Sequence, residues 1–197
     1  MKSALRPYVM RARADAVAAN RRRIVDSARE LFMAHSFDDI TIDMVAADAE
    51  TTARTVLRLF ESKDELFAHA LHSIGQFRPG PIVPGDVAAL VGGTYAFYEK
   101  IGDTVIRWLA DEQRIPAMHA HLEIGRRHLR EWVAEAFAPA LVRVQGAARR
   151  ERLDALIVAF DVYTWKLLRR DFGLSQRAAA ATAVRIVRGL IGEDQNG

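Results

Sequence analysis

The stretch 51-TTARTVLRLFESKDEL-66 holds two helix starts one turn apart. Thr52 precedes an apolar set, Val56, Leu59 and Phe60, that falls on one face of a helix of 3.6-residue period. Arg54 and Arg58, four residues apart, share the opposite face. Ser62 is followed three residues later by Glu65, the spacing of a capping box, in which the serine hydroxyl takes the Glu65 N–H and the glutamate reaches back. A short helix with two arginines on its open side, followed at once by a second capped helix, takes its meaning from its neighbours.

Upstream, Ile24, Ala28, Leu31 and Phe32 mark one face of a first helix, and Thr41 caps a second whose inner residues are Val45, Ala46 and Ala49. Downstream of Ser62, the residues Leu66, Phe67, Ala70, Leu71 and Ile74 form the inner face of a fourth helix. Then 78-RPGPIVPGD-86 interrupts the pattern with three prolines and two glycines and marks a boundary. Beyond it the spacing predicts longer helices over 86–101, 103–114, 117–144, 150–172 and 175–192. Gly102, Pro116, Gly146 and Gly173 stand between them as breakers, and Pro139 kinks or shortens the third. No strand-length alternating run occurs. The predicted fold is all-α.

Composition narrows the classes. The chain has 197 residues, 50% hydrophobic and 27% charged, a globular balance. It has no cysteine, which excludes disulfides, thiolate metal sites and a cysteine nucleophile and fits a cytoplasmic setting. No secretory leader and no membrane-length apolar run is read from it, so no membrane partner is expected. Net charge is only +3, but Lys2, Arg6, Arg11, Arg13, Arg21, Arg22 and Arg23 face a lone Asp15 in the first 23 residues. That basic arm fits a polyanion partner as well as it fits a solvated tail.

Two short helices joined by a few residues, the second opened by a hydroxyl cap and carrying basic residues, form a helix-turn-helix. The free N–H groups and positive dipole end at the start of the second helix suit phosphate or base acceptors. Arg54 and Arg58 are the groups to pair bidentately with guanine O6 and N7 in a major groove.

The pieces ARELF (28–32), FDDIT (37–41), VAADA (45–49), RTVLRLF (54–60) and SKDEL (62–66) lie in register. Together, over residues 21–72, they resemble the N-terminal signature of tetracycline-repressor (TetR) type regulators. The stretch YTWKLLRRDFGLS (163–175) is similar to family members from high-GC actinobacteria. The resemblance implies a DNA-binding domain at 21–77 with its helix-turn-helix at 41–60, preceded by the arm at 1–20. It further implies a ligand-binding and dimerisation domain at 86–197, joined by the fourth helix, whose far end near Phe77 meets the Pro/Gly hinge. The implied partners are a palindromic double-stranded operator, a small-molecule effector and a second copy of the chain. The final two helices of each subunit would build a four-helix bundle.

On that reading Thr41, Thr52, Ala53, Arg54, Thr55, Arg58 and Lys63 face DNA, and Arg21, Arg22 and Arg23 follow its backbone. Tyr95, Tyr98, Trp108, Trp132, Phe137 and Tyr163 are the candidate pocket residues, with ordinary core packing as the competing account. Leu156, Phe160, Leu167, Val184, Val187 and Leu190 are the candidate dimer residues. Three departures from the family pattern stand out. Ser36 replaces a helix-ending glycine, Glu50 replaces the glycine of the Ala-Gly-Val-Ser turn, and Leu57 replaces a phosphate-binding tyrosine. No metal or cofactor is expected: His69 with His72, and His121 with His128, lack a third ligand. Nor is an enzyme expected, because GxSxG, HExxH and Gly-rich phosphate loops are missing. Two alternatives stay open: a helical interaction or small-molecule-binding protein without DNA binding, and an enzyme with no recognisable motif.

Overall fold

The computed structural model describes residues 5–74 and 80–192, with side chains from residue 14 onward. Among these residues the structure is helical throughout, without strands. The order is α1 (Leu5–Ala34), α2 (Ile42–Asp48), α3 (Ala53–Phe60), α4 (Lys63–Ser73), α5 (Val87–Asp111), α6 (Pro116–Ala136), α7 (Ala138–Leu141), α8 (Gly146–Phe160), α9 (Val162–Lys166), a π-helical turn (Leu167–Asp171) and α10 (Gln176–Ile191). The end of the fourth helix near Phe77 lies outside the described residues.

The chain divides into two compact units. The first is Met1–Gly75 together with Gln113–His121. Its core is built from α1 to α4: Ile24, Ala28 and Phe32 meet Val45, Ala46, Val56, Phe60, Leu66 and Phe67, all buried. Phe32, Phe37 and Phe67 pack as a trio with ring centroids 4.4–5.8 Å apart, mostly edge to face, which suits the ring quadrupoles. Ile115 and Met118 are buried as well, and Arg114 forms a two-pronged bond to Asp38 at 3.0 and 2.9 Å. No sequence signal announced that this later segment belongs with the first helices.

The basic arm is helical from Leu5, in one run with the predicted first helix. Ala12, Ala14, Ala16, Ala18 and Ala19 explain why: alanine loses no side-chain entropy in a helix. Ser36 carries no strain, since the only non-glycine residues with positive φ among those described are Glu50 and Glu61. Helix α1 ends at Ala34, before Ser36, with the His35 N–H on the Leu31 carbonyl at 2.8 Å.

The second unit is Gln76–Glu112 with Leu122–Gly197. Its core centres on Val91, Tyr95, Val133, Leu141, Leu156, Phe160, Trp165, Ala183 and Val187, each almost wholly enclosed. The expected break at Gly102 is absent, and α5 runs straight through it. A Cβ at Gly102 would lie 2.6 Å from Cη2 and 2.8 Å from Cε3 of Trp165, so this glycine serves close packing rather than helix termination. The expected single helix over 150–172 is broken at Asp161, whose carboxylate accepts the Tyr163 N–H at 2.8 Å and starts α9. Pro139 shortens α6 as expected, and α7 follows it.

Trp165 is held by polar groups around its rim. Its Nε1–H donates to Glu99 at 2.9 Å, Arg169 donates to the same carboxylate at 2.5 and 2.9 Å, and Arg170 lies 4.6 Å over the ring while bonding Asp103. The Arg169 hydrogen bonds hold the Glu99 carboxyl below its usual range, against the opposing effect of burial.

Candidate nucleic-acid interface

Helices α2 and α3 are short, so their ends matter as much as their middles. Thr41 Oγ1 accepts the Met44 N–H at 3.2 Å, and Thr52 Oγ1 accepts the Thr55 N–H at 3.2 Å, which fixes both N-termini. Ser62 Oγ takes the Glu65 N–H at 3.1 Å. The reciprocal half of the capping box is not formed, because the Ser62 N–H goes to the Phe60 carbonyl at 2.6 Å. Between α2 and α3, Glu50 sits at φ 51. That is the left-handed region, where a Cβ costs about 1–2 kcal/mol. The turn therefore keeps its shape at the expense of strain.

Val56 and Phe60 face the core of the unit, and this turns Arg54, Leu57 and Arg58 to solvent. Neither Arg54 nor Arg58 has a hydrogen-bond or ion-pair partner among the described residues. Two exposed forks on a capped helix remain available for an external acceptor. Leu57 stands between them, 44% exposed, so an apolar surface sits where the family pattern has a phenol. Thr52 is exposed, and Ala53 and Thr55 are half-buried beside it.

The remaining basic residues divide by environment. Arg21 turns inward: it donates to the Leu59 carbonyl and pairs with His69 Nε2, both at 2.9 Å, and it lies 4.3 Å over the Phe60 ring. It thereby fastens the C-terminal end of α3 to α1. Arg22 and Arg23 are exposed, Arg23 bonding Asn20. Lys63, at the first turn of α4, places Nζ 4.2 Å over the Phe37 ring. Burial lowers its pKa, with Asp38 pulling the other way.

In the second unit Tyr95, Tyr98, Trp108 and Phe137 are interior, Trp132 is half-buried, and Tyr163 is on the surface at 56% exposure. Tyr98 donates its hydroxyl to the Phe160 carbonyl at 3.1 Å, and Trp132 packs edge-on against Phe160. Of the candidate dimer residues, Leu156, Phe160 and Val187 lie wholly inside a single chain. Leu167, Val184 and Leu190 reach its surface, along with Val158, Phe172 and Ile186, which periodicity alone did not single out.

The strained turn yields a direct prediction. Glu50→Gly relieves the left-handed Cβ and removes an acid beside α3, so it stabilises the first unit by about 1 kcal/mol net of the extra chain entropy of glycine. Thermal unfolding checks this, and an unchanged or lowered midpoint would count against the strain.

Comparison with known proteins agrees with this geometry. Residues 24–70 match the family model described as bacterial regulatory proteins, tetR family. A tetR-family transcriptional regulator from Streptomyces coelicolor superposes with a TM-score of 0.63 at 16% identity, over 86% of this chain and 80% of that one. A TetR-like transcriptional regulator from Rhodococcus sp. RHA1 gives 0.55 at 22% identity, over 89% and 97%. No curated protein matches the chain. Residues 24–70 thus carry the signature of the tetR family of bacterial regulatory proteins, and the chain has the all-helical fold of those two regulators.

Proposed function

We propose that this regulator binds a palindromic double-stranded operator as a homodimer, represses from it in the cytoplasm, and is released by a small-molecule effector. One observation carries the DNA reading. Arg54 and Arg58 are exposed and without partners on the open face of a hydroxyl-capped helix whose other face is core. Arginines in that setting read guanine in the major groove, and the remaining basic residues add phosphate contacts that fix register. Gel shifts on DNA flanking the gene, with selection from a random duplex library at stated salt, test it. If neither yields an enriched duplex, a helical small-molecule-binding protein without DNA binding is the better account.

The dimer reading rests on Val158, Tyr163, Leu167, Phe172 and Ile186, all between 43% and 63% exposed on the last helices and the connection before α10. Apolar side chains clustered in one stretch of sequence mark an association face more often than a solvent face. Light scattering should return about twice the 22.0 kDa chain mass, and Phe172→Asp with Ile186→Glu should return one chain mass. A wild-type monomer at micromolar concentration would contradict the proposal.

Effector release is a coupling free energy, typically about 1–3 kcal/mol, and it is reciprocal. Operator DNA should weaken effector binding by the factor that effector weakens operator binding.

A further inference from the structure

The second unit contains a cavity of about 190 Å³. Val87 and Leu90 of α5, Ala136 and Phe137 at the end of α6, Pro139 of α7 and Ile191 of α10 supply its apolar wall. Of the aromatic residues singled out from sequence, only Phe137 lines it. One charged side chain joins the lining, Arg143, which is exposed and makes no hydrogen bond or ion pair among the described residues. A second guanidinium lies close by, since Arg152 donates to the carbonyl of the lining residue Ala140 at 3.3 Å. The neighbouring acid, Asp86, is engaged with the Ala89 N–H at 2.9 Å.

We infer that this cavity binds a small monocarboxylic acid, with its apolar body against Phe137 and Leu90 and its carboxylate on Arg143. Size sets the first limit. A dry cavity of about 150 Å³ accepts benzene, so the space here fits one ring or a short chain plus a carboxylate. It is below the roughly 300–1,000 Å³ of sites for drug-sized ligands. Charge sets the second limit. The wall offers no acidic group, while its rim carries an arginine whose fork matches a carboxylate in two-pronged geometry. An amine would meet like charge, and a neutral alcohol would gain only the apolar contacts.

The site itself does not depend on DNA binding, whereas a regulatory role for it rests on the reading proposed above. The test uses the full chain and three matched probes: 3-phenylpropionate, 3-phenylpropanol and 3-phenylpropylamine, titrated by calorimetry or by NMR shifts. The acid should bind about tenfold tighter than the alcohol, the size of one partly solvated charge-assisted contact. Arg143→Gln, at an exposed position that leaves the core intact, should bring the acid down to the alcohol's affinity. Ala140→Trp, at a half-buried lining position, should abolish binding of both. Equal affinities for acid and alcohol, an unchanged preference in Arg143→Gln, or no binding by any probe would each overturn the inference. The same titrations with a selected DNA duplex separate the two claims. Acid binding that leaves DNA affinity unchanged would keep the site and remove the switch. Failure of 3-phenylpropionate to bind, with some other compound releasing DNA, would remove the site and keep the switch.

Discussion

Replacing Trp165 with alanine lowers the stability of the second unit by about 3–5 kcal/mol, the range for emptying a large aromatic site. The thermal midpoint should fall by roughly 10 °C for a chain of this length. Three consequences add in the same direction. The fully buried ring leaves a void beside Gly102, the Glu99 carboxylate loses an N–H donor, and Arg170 loses the surface it covers. Gly102→Ala disturbs the same contact from the other side. A methyl in a helix interior ordinarily gains about 1 kcal/mol over glycine. Here it meets the six-membered ring of Trp165, a rigid group with no free end to swing away, and overpacking costs about 1–3 kcal/mol. The double-mutant cycle is decisive: in the Trp165→Ala background the added methyl enters the void, and Gly102→Ala should become neutral or stabilising. If Gly102→Ala keeps the wild-type midpoint, or the two changes simply add, the close approach is not what shapes this core. The acid side of the stability curve reports on the same cluster. Glu99 has a lowered pKa in the fold, so its contribution is complete above the unfolded value near 4.5 and is lost as pH falls through the folded value.

Arg54→Ala and Arg58→Ala should each weaken operator binding by about 1–3 kcal/mol per guanine read, and relax base choice at one position of each half-site. In a dimer both half-sites lose the contact at once, so the measured drop is larger than a single arginine implies. Lys63→Ala serves as the contrast. It stands at the start of α4, where the family pattern places a phosphate-contacting lysine, and on that reading its loss should weaken all duplexes similarly and reduce the salt slope by about one per subunit. Selection from a random library before and after each change separates the roles. A Lys63 variant that alters sequence preference, beside arginine variants that do not, would reverse the assignment.

What could be read from the sequence follows the range of the forces involved. Caps and helix faces are local, so Thr41, Thr52 and Ser62 announced their helices, and Val56 with Phe60 announced which side of α3 turns inward. Glycine is ambiguous by nature. At Gly102 the sequence shows a missing side chain, and only the tertiary structure reveals that Trp165, far along the chain, fills the space. Ser36 and Glu50 illustrate the same limit in the backbone, since both replace a glycine of the family pattern and only Glu50 inherits the left-handed φ. Arg21 had the look of a free arm charge, and the carbonyl of Leu59 that it serves lies 38 residues away. The apolar surplus on the last helices was visible, but its division between interior and surface was not, because the helix breaks at Asp161 and every later side chain turns with it.

The unbroken run of α1 fixes a phase. Arg21 ties that helix to the carbonyl end of α3, and the segment upstream of it belongs to the same rod. Each residue along a helix advances about 1.5 Å and rotates by about 100°. The angular position of each backbone residue back to Leu5 is therefore set by its count from Arg21, as the teeth of a gear are set by its hub. One residue added just before Arg21 would leave composition and net charge essentially alone, yet would turn the backbone of every preceding helical residue back to Leu5 about a quarter of a circle from its former bearing. The register of the arm, and not only its charge, is written into the length of this helix.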